Sequence, residues 1–131
     1  MRHNPELRGL FFWGNQVEYL NISNNPLLRT LVAQSNRLTS LDLSNNPELI
    51  EVFCDWNQLT ELDVSANPKL YQLACNNNQL TGLDLRNNPL LELLFVDGNR
   101  IRSENDIPGL NELTLLDRNN HDKYRFNPQN R

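Results

Sequence analysis

The sequence predicts a mainly β solenoid of about five 21-residue coils, with two short parallel sheets and little or no α-helix. Three observations carry this expectation. Asn-Pro recurs at Asn4-Pro5, Asn25-Pro26, Asn46-Pro47, Asn67-Pro68 and Asn88-Pro89, and the spacing never slips. A fixed period of this size marks coils stacked one on the next. Leu, with smaller apolar residues, fills fixed columns of each period, often two residues apart as at Leu41 and Leu43, which is strand alternation. No stretch offers the ten or more residues of 3.6-residue periodicity that a helix requires.

Each unit divides into two half-units of the same grammar. The first half runs Leu7, Leu10, Phe12, Asn15, Val17; then Leu28, Leu31, Ala33, Asn36, Leu38; then Leu49, Val52, Cys54, Asn57, Leu59. Leu70, Leu73, Cys75, Asn78, Leu80 and Leu91, Leu94, Val96, Asn99, Ile101 continue it. The second half runs Leu38, Leu41, Leu43, Asn46, Leu49, and recurs at Leu59–Leu70 and Leu80–Leu91. One short strand is expected on each of two opposite walls, each column stacking into a parallel sheet with Leu side chains between. Proline has no N–H, so Asn-Pro suits a corner rather than a ladder. The asparagines at both corners are expected to serve backbone groups that the turns leave unpaired.

The segments LTSLDLSNNPEL and LYQLACNNNQL resemble the leucine-rich repeat family, and the nested 21-residue form with Leu-Asp-Leu resembles its short bacterial type. The resemblance covers roughly residues 4–116. It implies a repeat scaffold that supplies an interaction surface. The helix-bearing variable segment of the family is missing, so a flat two-sheeted prism is expected. Residues 4–116 are assigned to the solenoid and 117–131 to a polar tail or cap. After Ile101 the pattern breaks, and Leu110, Leu113 and Leu115 are expected to start a sixth, terminal strand. Tyr124 and Phe126 are candidates to fold back over that end. At the other end only Met1–His3 precede the first unit, so Leu7, Leu10 and Phe12 are expected to form an open rim. That rim points to self-association, or to further coils in a longer repeat protein.

Composition narrows the function classes. A net charge of -4 argues against a nucleic-acid binder held by phosphate contacts. No run approaches the ~18 apolar residues of a membrane span. The start lacks the plan of a signal peptide, so a cytoplasmic protein is expected if the chain is complete, and a secreted or surface-attached one if a leader is missing. Cys54 and Cys75 lie one period apart and are expected to be buried free thiols. His3 and His121 are isolated, and no Ser-His-Asp, Cys-His, HExxH, EF-hand or Gly-rich phosphate pattern occurs. No enzyme, cofactor or metal is expected. The carboxylate column Asp42, Asp63, Asp84 could be bridged by a divalent cation such as calcium, but is read as solvated outward residues that discourage aggregation. The column Thr39, Thr60, Thr81 is read as cross-strand packing.

The two walls differ in what they turn outward. The second-half wall shows Thr, Ser, Asp and Asn. The first-half wall shows Phe11, Val32, Phe53, Ala74 and Phe95, with Trp13, Trp56 and Tyr71 in adjacent columns. Large apolar residues turned outward in a contiguous patch mark interaction surfaces. Charge is graded along them, from Arg8, Arg29 and Arg37 toward Glu51, Asp55, Glu92 and Asp97. The expected function is a non-enzymatic protein- or peptide-binding scaffold, with Phe11, Trp13, Phe53, Trp56, Tyr71, Phe95, Asp55, Asp97, Arg29 and Arg37 as its binding residues. A protein or peptide partner is expected, with self-association through the open rim or the aromatic face as a variant. The alternatives are a carbohydrate-binding surface and a structural fragment of a longer repeat protein.

Overall fold

Five three-residue strands recur at the 21-residue interval in the computed structural model, which describes residues 4–126. They are β1 (Gly9–Phe11), β2 (Thr30–Val32), β3 (Glu51–Phe53), β4 (Gln72–Ala74) and β5 (Leu93–Phe95). Each pairs in parallel with the next, so Leu10, Leu31, Val52, Leu73 and Leu94 form one inward column. β6 (Tyr124–Arg125) pairs with β5 and completes a single six-stranded sheet in chain order.

The core is the pattern of columns made solid. Leu28, Leu31, Leu38, Leu49, Leu59, Leu70, Leu73, Leu80, Leu91 and Leu94 are wholly buried in one continuous cluster. Each such leucine contributes about 1.5–3 kcal/mol of burial. Leu7, Leu10, Phe12, Val17 and Leu20 pack against this cluster but remain only partly buried.

The asparagine columns hold the corners. Asn57 accepts from the Leu38 N–H at 2.9 Å and donates to the carbonyls of Ala33 and Cys54. Asn36, Asn78 and Asn99 repeat this pattern one coil apart. In the other column Asn67 donates to the carbonyls of Leu43 and Asn46. Its Oδ1 is buried without a hydrogen-bond donor among the described residues, as are those of Asn46 and Asn88.

The second parallel sheet does not form. Among the described residues, no backbone hydrogen bond joins Leu41–Leu43 to Leu62–Val64. The backbone bonds beside that wall are the corner turns Asn46 N–H to Leu43 and Leu49 N–H to Asn46, with their equivalents, and among the described residues this wall bonds across to a neighbour at Leu83 and Leu85, in the last coil. Alternation placed the leucines correctly, because it reports which side chains point inward. It does not report whether backbone groups meet a neighbour in register.

The terminal strand is also elsewhere than expected. Leu110–Glu112 forms a 3-10 turn, Leu110 and Leu113 are buried, and Leu115 is exposed. Gly109 permits this departure. It sits at φ 89°, and a Cβ there would lie 2.5 Å from the Arg86 N. The chain therefore presses against the preceding coil, with the N–H groups of Leu83 and Leu85 donating to the carbonyls of Asp106 and Pro108. It then returns to place Tyr124 in the strand. Tyr124 is buried, with its hydroxyl on the Glu104 carboxylate at 2.6 Å, and Phe126 packs against the core. His3 and the last five tail residues, 127–131, lie outside the described residues.

Candidate functional site

The outward face of β1–β5 carries a shallow depression of about 410 Å³. Trp13, Phe53, Trp56 and Phe95 line it together with Gln34, Ser35, Asp55, Ala74 and Asn76. Trp13 is 68% exposed and Trp56 62% exposed, so neither serves the core. Phe11 shares the strand column and is exposed, but stands outside the depression. Tyr71 lies apart and donates its hydroxyl to the Glu92 carboxylate, which raises its pKa.

The backbone that presents Trp56 is unusual. Gly14, Ser35, Trp56, Asn77 and Gly98 occupy one column, and all five have φ between 53° and 69°. Each follows a strand at the point where the coil turns its first corner. Left-handed backbone suits Gly and Asn, and strains a bulky side chain by about 1–2 kcal/mol. Tryptophan is the costly choice at this corner.

Asp55 lies at the floor of the depression and is only 5% exposed. Its Oδ1 accepts from the Asn76 backbone N–H at 3.0 Å and the Asn76 amide at 2.8 Å. Its Oδ2 accepts from the Gln34 amide at 2.9 Å. Asn76 Oδ1 in turn accepts the Asp97 N–H at 2.8 Å. The column Gln34, Asp55, Asn76, Asp97 is thus one polar spine beneath the aromatic rings. The Arg125 guanidinium lies over the Phe95 ring, 4.5 Å from its centroid. Arg29 is exposed, and Arg37 is 4.0 Å from Glu18, outside the depression.

Comparison with solved structures places this architecture. The functional domain of InlJ from Listeria monocytogenes, a structure that includes a cysteine ladder, matches 84% of the chain at 35% identity and a TM-score of 0.77. The chain is a leucine-rich repeat protein. The same fold recurs in the internalin InlF from Listeria monocytogenes (21% identity, 86% of the chain, TM-score 0.77) and in a leucine-rich repeat protein from Leptospira interrogans (24%, 86%, 0.77). The chain spans 24%, 34% and 30% of those three solved chains, in that order. No family model and no curated protein matches the sequence.

The opposite wall of this leucine-rich repeat protein has a larger depression, about 810 Å³, bordered by Asp42, Glu61, Asp63, Asp84 and Asp106. Its column of aspartates has a local purpose. Asp42 accepts the Ser44 N–H at 2.9 Å and the Ser44 hydroxyl at 2.6 Å, and Asp63 accepts the Ser65 N–H at 2.9 Å. Asp84 accepts the Arg86 N–H and pairs with its guanidinium at 2.5 Å. These bonds lower all three carboxyl pKa values, Asp84 to about 2. Among the described residues, no group of three or more His, Cys, Asp or Glu is placed to hold a metal ion. No described helix is long and apolar enough to cross a membrane. Cys54 and Cys75 are buried free thiols whose pKa values burial pushes up, which leaves them unreactive. His121 is exposed.

Of the residues singled out from the sequence, the structure brings Trp13, Phe53, Trp56, Phe95 and Asp55 to one depression and leaves Phe11, Tyr71, Asp97, Arg29 and Arg37 outside its lining. Sequence reasoning missed the left-handed backbone under Trp56, although the column Gly14, Ser35, Asn77, Gly98 carries that signal. It also missed Gln34 and Asn76, whose role depends on pairing across coils, and Arg125, which arrives from the irregular end.

Proposed function

We propose that this chain is a non-enzymatic scaffold that captures a protein or peptide on the outward face of its strands. The observation that carries the reading is Trp56. A large side chain is kept exposed, on backbone that disfavours it, beside Trp13, Phe53 and Phe95. Strain retained at an exposed residue is a mark of function rather than of folding. The leucine-rich repeat neighbours support a binding scaffold of this kind.

The polar spine favours a protein over a sugar. Gln34 and Asn76 would be the groups to meet sugar hydroxyls, but the Gln34 amide donates to Asp55, and Asn76 spends both ends of its amide on Asp55 and Asp97. With those amides engaged, the exposed tryptophan rings beside them are the anchor type of protein interfaces.

Trp56→Asn tests the reading. Asparagine tolerates the left-handed backbone, so the variant should melt at the same temperature or higher, by the equivalent of up to about 1 kcal/mol. Partner proteins retained by immobilised wild type should be lost from the folded variant. Equal retention by both would overturn the proposal. Light scattering on the two proteins separates self-association, which would show as a wild-type dimer and a variant monomer.

A further inference from the structure

We propose that the depression between Trp13, Phe53 and Trp56 receives an arginine side chain of the partner. This rests on the reading of the strand face as a protein-binding surface. Asp55 decides the chemistry. It is a nearly buried carboxylate, held by three hydrogen bonds, and no Lys, Arg or His of the described residues forms an ion pair with it. Its Oδ2 takes a single donor, which leaves room for another. Any partner that covers the depression removes the remaining water from Asp55. An apolar cover would leave that charge uncompensated, whereas a cation neutralises it.

The rings point the same way. Aromatic faces attract cations, and Trp does so best. The molecule already holds one example on this face, where Arg125 from β6 lies over Phe95 at 4.5 Å. Phe53, two strands earlier in the same column, and the flanking tryptophans have no such occupant among the described ion–ring contacts. Arginine fits better than lysine. Its guanidinium is flat enough to stack on a ring and forked enough to donate to a carboxylate edge at once.

Peptides selected from a random display library against the folded chain, and then resynthesised, test this. Each enriched peptide is measured against wild type and Trp56→Asn, and again with arginine replaced by citrulline, a neutral side chain of nearly the same shape. The expected result is arginine in the enriched motif, roughly tenfold or greater loss of affinity with citrulline, and loss on Trp56→Asn. Because citrulline sits in the peptide, its effect does not depend on the folding of a variant. Peptides that need Trp56 but lack arginine, or tolerate citrulline, would overturn the arginine assignment and leave the scaffold reading intact. Peptides indifferent to Trp56→Asn in a folded protein, or no enrichment at all, would count against both.

Discussion

The two walls of each coil begin from the same sequence grammar and end as different structures. On the first wall, three residues per coil join a continuous parallel ladder, and the residue between the inward positions is free to be Phe, Val or Ala. On the second, the same leucine spacing yields segments at 41–43 and 62–64 that no backbone hydrogen bond joins among the described residues. The corner asparagines show the difference at single-residue scale. After Asn36 comes Arg37, whose N–H bonds to the Val17 carbonyl while Asn36 accepts the Val17 N–H. After Asn46 comes Pro47, which has no N–H to give, and the Asn46 Oδ1 is left without a donor among the described residues. Both corners donate to carbonyls of the preceding coil, but only the Asn36 type also accepts a backbone N–H from it.

The largest effect that would break this comparison is in the shared core. Leu62→Asp buries a charge from the second wall between two coils, and each coil is supported only by its neighbours. Loss of the cooperative urea transition is expected by circular dichroism. A variant that unfolds like its parent would show that the second wall does not contribute to the stack. A smaller effect separates the corners. Asn57→Ala strands a buried N–H as well as carbonyls, while Asn67→Ala strands carbonyls alone. The first should cost more by about 1–3 kcal/mol, one additional orphaned donor, in parallel denaturant titrations. Equal costs would mean the proline corner is as well tied as the other.

The smallest effect is in acid. The folded pKa of Asp84 is about 2, below its ordinary 3.8, because Arg86 bonds and pairs with it. A depressed carboxyl stabilises the fold above its unfolded value and loses that contribution as pH falls through the folded one. The amide signals of Arg86, Ser65 and Ser44 should therefore move between pH 4 and pH 2 in NMR spectra, in solution with ordinary salt. Those of the strand ladder should stay still until later. Simultaneous movement on both walls would show that the local turns are not independent of the sheet.

Most of the fold was legible because a repeat states its rule five times. Leu31, Val52, Leu73 and Leu94 each repeat one instruction, and misreading one would be corrected by the others. The second sheet was misread because Leu41-Asp42-Leu43 specifies burial and says nothing about hydrogen bonds. The terminal strand was misread because Pro108-Gly109 replaces the rule with a close approach that exists only in three dimensions. At the site, Trp13, Phe53, Trp56, Phe95 and Asp55 were visible as departures from the repeat. Phe11, Tyr71, Asp97, Arg29 and Arg37 lie outside the lining of the depression. Proximity in a column does not decide which side chains share a hollow.

The in-register stacking also makes this face a ruler. Phe11, Phe53 and Phe95 are separated by two coils each, so their spacing comes in whole steps of about 9.6 Å. Mutation can change which side chain stands at a mark, but the distance between marks changes only by adding or removing a complete 21-residue unit. A partner evolving against such a surface faces a fixed pitch, and must match it in multiples or not at all.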